Sequence, residues 1–205
     1  MKILFQGDSI TDADRNYDDF HDLGHGYAKN AAEKITAAFP SLSFEFIDLG
    51  VCGNRSIDLV ERLQRDFIDV QPDIVSILIG INDVWHRHTH KRPMSDEQFE
   101  ANYRQVLERI RKETNAKILI MAPFLLPAED KEEWRSEVDS ITGVVRRLAK
   151  EYADGYLPLD ELFATLPSAE EYTRDGVHPN DKGAEFIGSR YLEAITPLIR
   201  EIAKV

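Results

Sequence analysis

Short apolar runs alternate with amphipathic stretches along the whole chain. Five of these runs have the length of strands and are mostly apolar throughout: Lys2–Phe5, Phe44–Leu49, Ile74–Ile79, Lys117–Ala122 and Tyr156–Leu159. Continuous apolar runs, without the alternation of a half-exposed strand, are typical of strands that are covered on both faces. The pattern therefore predicts five buried strands of a parallel sheet.

The stretches between the strands carry apolar residues at helical spacing. Ser56 is a predicted helix cap ahead of apolar residues at Ile57, Val60, Leu63 and Phe67. Ser95 and Gln98 form a capping-box pattern ahead of Phe99, Tyr103, Val106 and Ile110. Further helices are predicted near Tyr27–Phe39, Trp134–Tyr152 and Asp181–Ala203, and Pro197 is expected to bend or restart the last of them.

Five alternations of strand and helix predict an α/β fold with three α/β/α layers: a flavodoxin-like five-stranded parallel sheet with helices on both faces. In such a sheet the crevice opens at the C-terminal ends of the strands. Candidate site residues follow four of the predicted strands: Ser9 the first, Gly53 the second, Asn82 the third, and Asp175 with His178 the fifth. We expect these residues to meet at one rim.

Composition narrows the class of protein. A chain of 205 residues suits one domain, 1–205, and no apolar run is long enough to span a membrane. The net charge of −12 repels polyanions, and the only dense cationic run is HRHTHKR, from His86 to Arg92, so nucleic acid is not an expected partner. Cys52 is the only cysteine, which excludes an internal disulfide. The apolar run Ile3–Phe5 is too short for a secretory signal, so we expect a cytoplasmic location.

Asp175 and His178 lie three positions apart in the stretch TRDGVHPN, which Gly176 and Pro179 mark as a loop. A carboxylate at this spacing can orient the imidazole, which can then take a proton from a serine hydroxyl. Ser9 is the candidate recipient. Either fragment alone also fits an ordinary turn or a helix cap.

Stabilisation of an oxyanion needs hydrogen-bond donors as well as a nucleophile. The turn Gly7-Asp8-Ser9-Ile10-Thr11 lacks the second glycine of the Gly-x-Ser-x-Gly elbow, which disfavours a standard α/β-hydrolase. The Asn82 side-chain amide and the Gly53 backbone N–H are the candidate donors, although Gly53 also fits a simple turn into a helix.

Taken together, the four blocks resemble those of the SGNH hydrolases, also called GDSL esterases and lipases. The blocks are GDSIT around Ser9, GVCGN around Gly53, GIND around Asn82, and DGVHP around Asp175 and His178. The resemblance implies that Ser9 is the nucleophile, His178 the base and Asp175 its orienting partner. It also implies an oxyanion hole formed by the Ser9 and Gly53 N–H groups and the Asn82 amide, and no metal or other cofactor.

Within that superfamily, the segments GHGY, GINDVW and MAPFLLP are similar to those of bacterial acetylxylan esterases and related carbohydrate deacetylases. This similarity implies a serine esterase that hydrolyses short-chain acyl esters, above all O-acetyl groups on carbohydrate, through an acyl-serine intermediate. The expected partner is a small-molecule or oligosaccharide ester. A homo-oligomer is compatible with the resemblance to the family.

Three alternatives remain open. A thioesterase or lysophospholipase would use the same serine machinery on another acyl bond. A metal-dependent phosphoesterase would use the oxygen and nitrogen ligands of Asp8, Asn82, Asp83, Asp175 and His178. An inactive carbohydrate-binding module would keep the fold alone, although intact Ser9, Asp175 and His178 argue against it.

Two positions depart from the family pattern, and neither carries a proposed catalytic atom. Asp48 stands where the family usually has Asn, and we expect it to change a hydrogen bond that shapes the following glycine loop. Cys52 stands where Ser or Ala is frequent, and we expect a small buried residue rather than a reactive thiol.

Two candidate substrate contacts complete the site. Trp85 lies three residues after Asn82 and could line the acyl or sugar pocket. Asp8 is a second candidate, although it is better interpreted as a residue that shapes the turn. His86, His88 and His90 would share one face of an extended backbone and could bind a metal there, but a solvated loop at the rim is the preferred interpretation.

Overall fold

The computed structural model describes residues 1–89 and 93–204, and a sheet of five parallel strands forms its centre. The strands are β1 (Lys2–Gly7), β2 (Glu45–Asp48), β3 (Ile74–Leu78), β4 (Lys117–Met121) and β5 (Gly155–Leu157). Their order across the sheet is β2-β1-β3-β4-β5, and every neighbouring pair is parallel. The predicted flavodoxin-like sheet is thereby confirmed.

Helices connect the strands and cover both faces of the sheet. The α-helices are α1 (Ser9–Asp12), α2 (Tyr27–Ala38), α3 (Ser56–Glu61), α4 (Ile81–Thr89), α5 (Asp96–Glu113), α6 (Arg135–Tyr152), α7 (Leu159–Ala164) and α8 (Asp181–Ala203). A π-helical turn covers Gln64–Ile68, and 3₁₀ turns cover Glu129–Trp134 and Ala169–Tyr172. α2 packs against α8, while α3, α5 and α6 pack in a row. These two groups form the outer layers.

The central strands explain the apolar runs of the sequence. All five residues of β3 are buried, as are the last four of β4 and the last five of β1, because helices cover these strands on both sides. The predicted strand Tyr156–Leu159 ends earlier than expected, at Leu157, because Leu159 begins α7. The core therefore holds the strand ends, and with them the loops, in fixed positions.

Two local expectations were wrong and one is confirmed. Ser56 is not a cap: Arg55 occupies the N-cap of α3, and the Ser56 hydroxyl donates to Asp83 Oδ1 at 2.7 Å. α8 is not restarted at Pro197 but continues through it, since the surrounding residues are packed into the core. The capping box of α5 is present, with Gln98 N–H donating to Ser95 Oγ at 3.3 Å.

Among the described residues, none of the helices combines the length and the apolar character needed to cross a membrane.

Candidate active site

Ser9 lies at the carboxyl end of β1, in a turn that leaves little freedom. Asp8 is the N-cap of α1, and its Oδ1 accepts a hydrogen bond from the Ile10 N–H at 3.0 Å. A Cβ at Gly7 would lie 2.5 Å from the Leu78 carbonyl oxygen of β3, so only glycine fits before the cap. The chain therefore turns sharply out of the sheet and places Ser9 at its rim.

The structure brings Ser9, His178 and Asp175 together. Ser9 Oγ lies 2.9 Å from His178 Nε2, and His178 Nδ1 lies 2.8 Å from Asp175 Oδ2. These contacts join residues that are 169 positions apart in the sequence. The three groups form one hydrogen-bonded chain that can move a proton from a hydroxyl to an imidazole while a carboxylate fixes the imidazole tautomer.

Asp175 is fixed by the backbone of its own loop. Its Oδ1 accepts from the N–H groups of His178 at 2.8 Å and Val177 at 3.0 Å, while Oδ2 faces the imidazole. Partial burial raises the pKa of the Asp175 carboxyl, but these hydrogen bonds outweigh burial and hold its pKa below the ordinary value. The carboxyl is therefore ionised at neutral pH, as an orienting partner requires.

The strand order explains the positions of Gly53 and Asn82. β2 and β3 lie on either side of β1, so the loop that carries Gly53 and the helix that carries Asn82 flank Ser9. Gly53 has a φ of +79°, and a Cβ there would meet nothing within 4 Å. Asn82 Nδ2 donates one hydrogen bond to the Asn54 carbonyl at 3.1 Å, which orients the amide and leaves its second N–H available.

Arg62 ties the Ser9 turn to the Gly53 loop. Its guanidinium donates to the carbonyl oxygens of Gly7 at 3.2 Å and Leu49 at 2.8 Å, and its Nε donates to Asn54 Oδ1 at 2.8 Å. Asp66, 3.0 Å away, balances the charge. None of the sequence motifs includes Arg62, although its i, i+4 spacing from Asp66 beside the Gly53 loop is a signal of such a pair.

Asp8 does not lie where a substrate could contact it, so that expectation was wrong and the turn-shaping interpretation fits. Its carboxyl is 0% exposed. Burial, together with the nearby carboxylate of Asp83, raises the pKa of Asp8 to about 7. Burial also raises the pKa of Asp83 to about 6, although Ser56 donates to it from both its backbone and its hydroxyl. Both buried carboxyls therefore hold the backbone beneath the site in place and do not contact substrate.

The two departures from the family pattern have different outcomes. Asp48 Oδ1 accepts from the Gly50 N–H at 2.8 Å, so the side chain does bond to the glycine loop; whether this bond differs from that of an asparagine stays a prediction. Cys52 is exposed rather than buried, because the loop presents it to the cleft beside Ser9. Partial burial of the sulfur, reinforced by the carboxylate of Asp12, raises the pKa of the Cys52 thiol, which lowers its reactivity at neutral pH.

Trp85 contacts the ring of His178, with 5.8 Å between ring centroids. Trp134 lies on another side of Trp85 at 5.2 Å, and the Lys131 Nζ lies 5.5 Å from the Trp85 ring centroid. Lys131 is only 6% exposed, which is unusual for a lysine, and it was missed because it sits in a run of charged residues. The predicted candidate Trp85 is therefore a direct neighbour of the imidazole.

The described part of the histidine run, up to Thr89, is helical rather than a loop. His86 and His88 belong to α4, so they do not share a face as they would in an extended backbone, and His90 lies outside the described residues. His88 Nε2 lies 2.9 Å from Glu137 Oε1, and its ring stacks on Trp134. Across residues 1–89 and 93–204, no three His, Cys, Asp or Glu side chains are grouped so as to hold a metal ion, including the Asp8, Asp83, Asp175 and His178 set.

A cleft of about 550 Å³ opens from Ser9 and His178 toward α2. Its lining combines apolar surface with charged and hydrogen-bonding side chains, which include Asp12, Asp14, Arg15, Tyr17, His25 and Arg174. The volume falls within the range of small-molecule sites. A ligand that reaches Ser9 through this cleft therefore meets charged and hydrogen-bonding groups as well as apolar surface.

Residues 5–186 match the family model of the GDSL-like lipase/acylhydrolase family. An acetylxylan esterase from Geobacillus stearothermophilus is 31% identical over 95% of this chain and 93% of its own. A solved structure of a GDSL-like lipase from Parabacteroides merdae superposes with a TM-score of 0.90 at 32% identity, covering 96% of this chain and 95% of the other.

A variant of Axe2, described as an acetyl-xylooligosaccharide esterase from Geobacillus, superposes with a TM-score of 0.83 at 30% identity, covering 95% of this chain and 93% of the other. The matched family model spans most of the chain, and the curated relative aligns almost from end to end. The chain therefore belongs to the GDSL-like lipase/acylhydrolase family and is a carboxylic ester hydrolase.

Proposed function

We propose that this protein removes short acyl groups, above all acetyl groups, from carbohydrate by way of an acyl-Ser9 intermediate. The observation that carries the proposal is the hydrogen-bonded chain from Ser9 Oγ through His178 to Asp175. Ser9 is the nucleophile, His178 the general base and Asp175 the residue that holds the imidazole tautomer.

In the first half-reaction, His178 Nε2 takes the Ser9 hydroxyl proton as Oγ bonds to the ester carbonyl carbon. The carbonyl oxygen becomes an oxyanion that accepts hydrogen bonds from the Ser9 and Gly53 N–H groups and the Asn82 amide. When the tetrahedral intermediate collapses, the bond to the alcohol oxygen breaks and His178 returns the proton to that oxygen. The alcohol leaves, and the acyl group stays on Ser9.

In the second half-reaction, His178 takes a proton from water, whose oxygen bonds to the acyl carbon. Collapse then breaks the bond to Ser9 Oγ, which regains a proton from His178, and the carboxylic acid leaves. Each proton taken by the imidazole is returned, so the catalyst is restored. Asp175 stabilises the imidazolium that forms in both halves.

Two features favour a sugar ester with a short acyl group over a lipid. The cleft beside Ser9 has charged and hydrogen-bonding side chains next to apolar surface, and this mixture suits a sugar, which presents both hydroxyl groups and C–H faces. The aligned relatives include an acetylxylan esterase and an acetyl-xylooligosaccharide esterase. Acetylated xylo-oligosaccharide is therefore the substrate class we assign.

Ser9→Ala tests the mechanism. The variant lacks the nucleophile and should lose more than about 10³-fold in kcat on p-nitrophenyl acetate. A serine-directed fluorophosphonate should label wild-type protein once at Ser9 and leave the variant unlabelled, as read by peptide mass spectrometry. Full activity of clean Ser9→Ala protein, or a label on another residue, would overturn the assignment.

The substrate class needs a separate comparison. Initial rates on acetylated xylo-oligosaccharides, longer p-nitrophenyl esters, a lysophospholipid and an acyl-CoA, at matched concentrations, rank the acyl bonds directly. We expect the acetylated sugar to have the highest kcat/KM. A higher value for acyl-CoA or lysophospholipid would replace the carbohydrate assignment while leaving the serine mechanism intact.

A further inference from the structure

We propose that Tyr17 is a stacking platform for a pyranose ring, which gives the cleft a sugar subsite next to Ser9. Tyr17 is the most exposed large hydrophobic side chain of the described residues, at 57%, yet it lies in the wall of the catalytic cleft. The inference rests on the proposed function only in taking the sugar to be the leaving alcohol.

The cleft lies on the side where the leaving alcohol must go. His178 returns its proton to the alcohol oxygen, so the alcohol has to sit beside the imidazole rather than beside the oxyanion donors. The cleft that contains Tyr17 is bounded by His178 and by Arg174 and Pro179 of the same loop, whereas Gly53 and Asn82 are not in its wall. An alcohol that extends from Ser9 past His178 therefore enters the cleft in which Tyr17 is exposed.

The Tyr17 ring is held at its hydroxyl and on one face. Its hydroxyl donates a hydrogen bond to Asp12 Oδ2, which also accepts from the Cys52 N–H at 2.8 Å. The Arg15 guanidinium lies 4.5 Å from the ring centroid and covers one side of the ring. Partial burial, then the hydrogen bond to Asp12, raises the pKa of Tyr17, so the hydroxyl stays protonated and keeps this bond. A ring fixed in this way binds without first losing its own rotamer freedom.

Arg15 is itself buried and anchored. It is 6% exposed, its Nε donates to the Gly50 carbonyl at 3.0 Å, and Asp48 lies 3.8 Å from the same nitrogen. A buried guanidinium that supports an exposed ring costs desolvation, and the hydrogen bond to the Gly50 carbonyl offsets part of that cost. The loop that carries Gly53 therefore also holds Arg15, which in turn packs on the Tyr17 ring.

The backbone before Tyr17 is strained, and contacts with the surrounding chain keep it in this conformation. Ala13 and Asp14 both have positive φ, +43° and +63°, a region that side chains other than glycine rarely adopt. The Ala13 carbonyl accepts from the His25 N–H at 2.9 Å, and a Cβ at Gly24 would lie 2.4 Å from that carbonyl oxygen. Consecutive residues of this kind cluster at ligand sites, where strain sets the direction of the side chains that follow.

The surroundings of the ring suit a polyhydroxylated ligand. Asp14 and Arg174 line the same cleft with exposed charged side chains, and they offer an acceptor and donors beside the flat ring. A pyranose presents an apolar face of C–H groups and a rim of hydroxyls, which match the ring and the charged groups respectively. A straight alkyl chain would use only the ring.

Phe20 provides a matched control. It is the other exposed large hydrophobic side chain of the described residues, at 49%, and lies three positions after Tyr17 in the same segment. It lines a different cavity, beside Glu45 and Ile47 at the β2 edge. Replacing Phe20 by leucine therefore makes the same kind of change outside the catalytic cleft.

The test compares two acetate esters that differ only in the alcohol: an acetylated methyl xylopyranoside, which carries a pyranose ring, and ethyl acetate, which has none. Acid release measured at constant pH gives kcat and KM for wild type, Tyr17→Leu, Tyr17→Phe and Phe20→Leu. For Tyr17→Leu, we expect the ratio of kcat/KM for the sugar ester to that for ethyl acetate to fall by about three- to tenfold, mainly through KM. Tyr17→Phe keeps the ring and should lower the ratio less. Phe20→Leu should leave the ratio unchanged.

A binding measurement separates this proposal from the proposed function. Xylotriose binding to Ser9→Ala protein, measured by calorimetry, should weaken about three- to tenfold when Tyr17→Leu is added, and should not change with Phe20→Leu. If neither ester is hydrolysed, the proposed function fails and this measurement decides on the platform alone. The subsite would be overturned if the ratio and the Kd both stay within twofold in Tyr17→Leu. It would also be overturned if Phe20→Leu lowers the ratio and raises the Kd as much as Tyr17→Leu does.

Discussion

The rings of Trp85 and His178 lie 5.8 Å apart and are inclined to each other by 59°. Trp85 is one helical turn after Asn82 on α4, so a single nine-residue helix carries a proposed oxyanion donor and the aromatic neighbour of the proposed base. Lys131 and Trp134 contact Trp85 from other sides. The position of α4 thus links two parts of the catalytic arrangement.

Replacing Trp85 by alanine should lower kcat/KM by about two- to tenfold, because the imidazole loses an aromatic contact worth about 0.5–1.5 kcal/mol. Trp85→Phe retains a ring and should recover part of the loss. Steady-state kinetics on p-nitrophenyl acetate and on an acetylated sugar, with a thermal melt as the check on folding, measure the effect. Unchanged kinetics of Trp85→Ala on both esters would remove Trp85 from the site.

Asn82→Ala should reduce kcat by about 10²- to 10³-fold, because a donor to the oxyanion contributes about 2.7–4 kcal/mol to the transition state. KM should change little, since the donor acts on charge that develops only during the reaction. Asn30→Ala is a matched control: Asn30 Nδ2 also donates to a backbone carbonyl at 3.1 Å, that of Gly26, but Asn30 itself does not line the cleft at Ser9. A similar loss of kcat in both variants would point to a general structural effect.

Asp175→Asn should lower kcat by about 10⁴-fold in a protein that still folds. An asparagine Oδ1 can still accept from the His178 and Val177 N–H groups, so the loop should keep its shape. Its NH₂ group would face His178 Nδ1 and favour the tautomer in which Nε2 carries the proton and cannot act as a base. Kinetics and a thermal melt of Asp175→Asn, compared with Asp181→Asn, separate the two effects. Equal activities would contradict the role of Asp175.

The fold could be predicted because its signals are local and redundant. Each buried strand appears as a continuous apolar run, and the central three strands have such runs because helices cover both of their faces. The meeting of Ser9, His178 and Asp175 then follows from topology, since residues after parallel strands share one rim.

What the sequence could not reveal depends on long-range partners. The sequence of the second half of α4, HRHT, is typical of a polar loop. The helix is retained because Arg87 pairs with Asp96 of α5 and Glu137 of α6, at 2.8 Å each. Lys131 lies in a run of charged residues that is typical of a solvated surface, yet its Nζ lies over the rings of Trp85 and Trp134. Tyr17 is fixed by Asp12 and Arg15 through side-chain contacts that no periodic pattern encodes.

The buried Asp8 carboxyl should make stability depend on pH. Its Oδ2 has no hydrogen-bond partner among the described residues, and burial raises its pKa from 3.8 to about 7. The folded protein therefore holds this proton more tightly than the unfolded chain does. As pH rises from about 4 to about 7, the contribution of Asp8 to the free energy of unfolding should decrease, and above about pH 7 it should stay constant.

Asp8→Asn removes the charge and keeps an oxygen that can accept from the Ile10 N–H. Relative to wild type, the variant should gain about 2–3 kcal/mol more in free energy of unfolding at pH 8 than at pH 5, because the interval includes about two pKa units at about 1.4 kcal/mol each. Urea unfolding at both pH values measures the gain, and Asp18→Asn, at an exposed position, should show no such change between them. The pKa shift of Asp175 has the opposite sign to that of Asp8. The ionised Asp175 carboxyl adds to the free energy of unfolding above the ordinary aspartate pKa, and this contribution is lost as pH falls through the lower pKa of the folded state. A gain for Asp8→Asn that is the same at pH 5 and pH 8 would show that the carboxyl is not the titrating group.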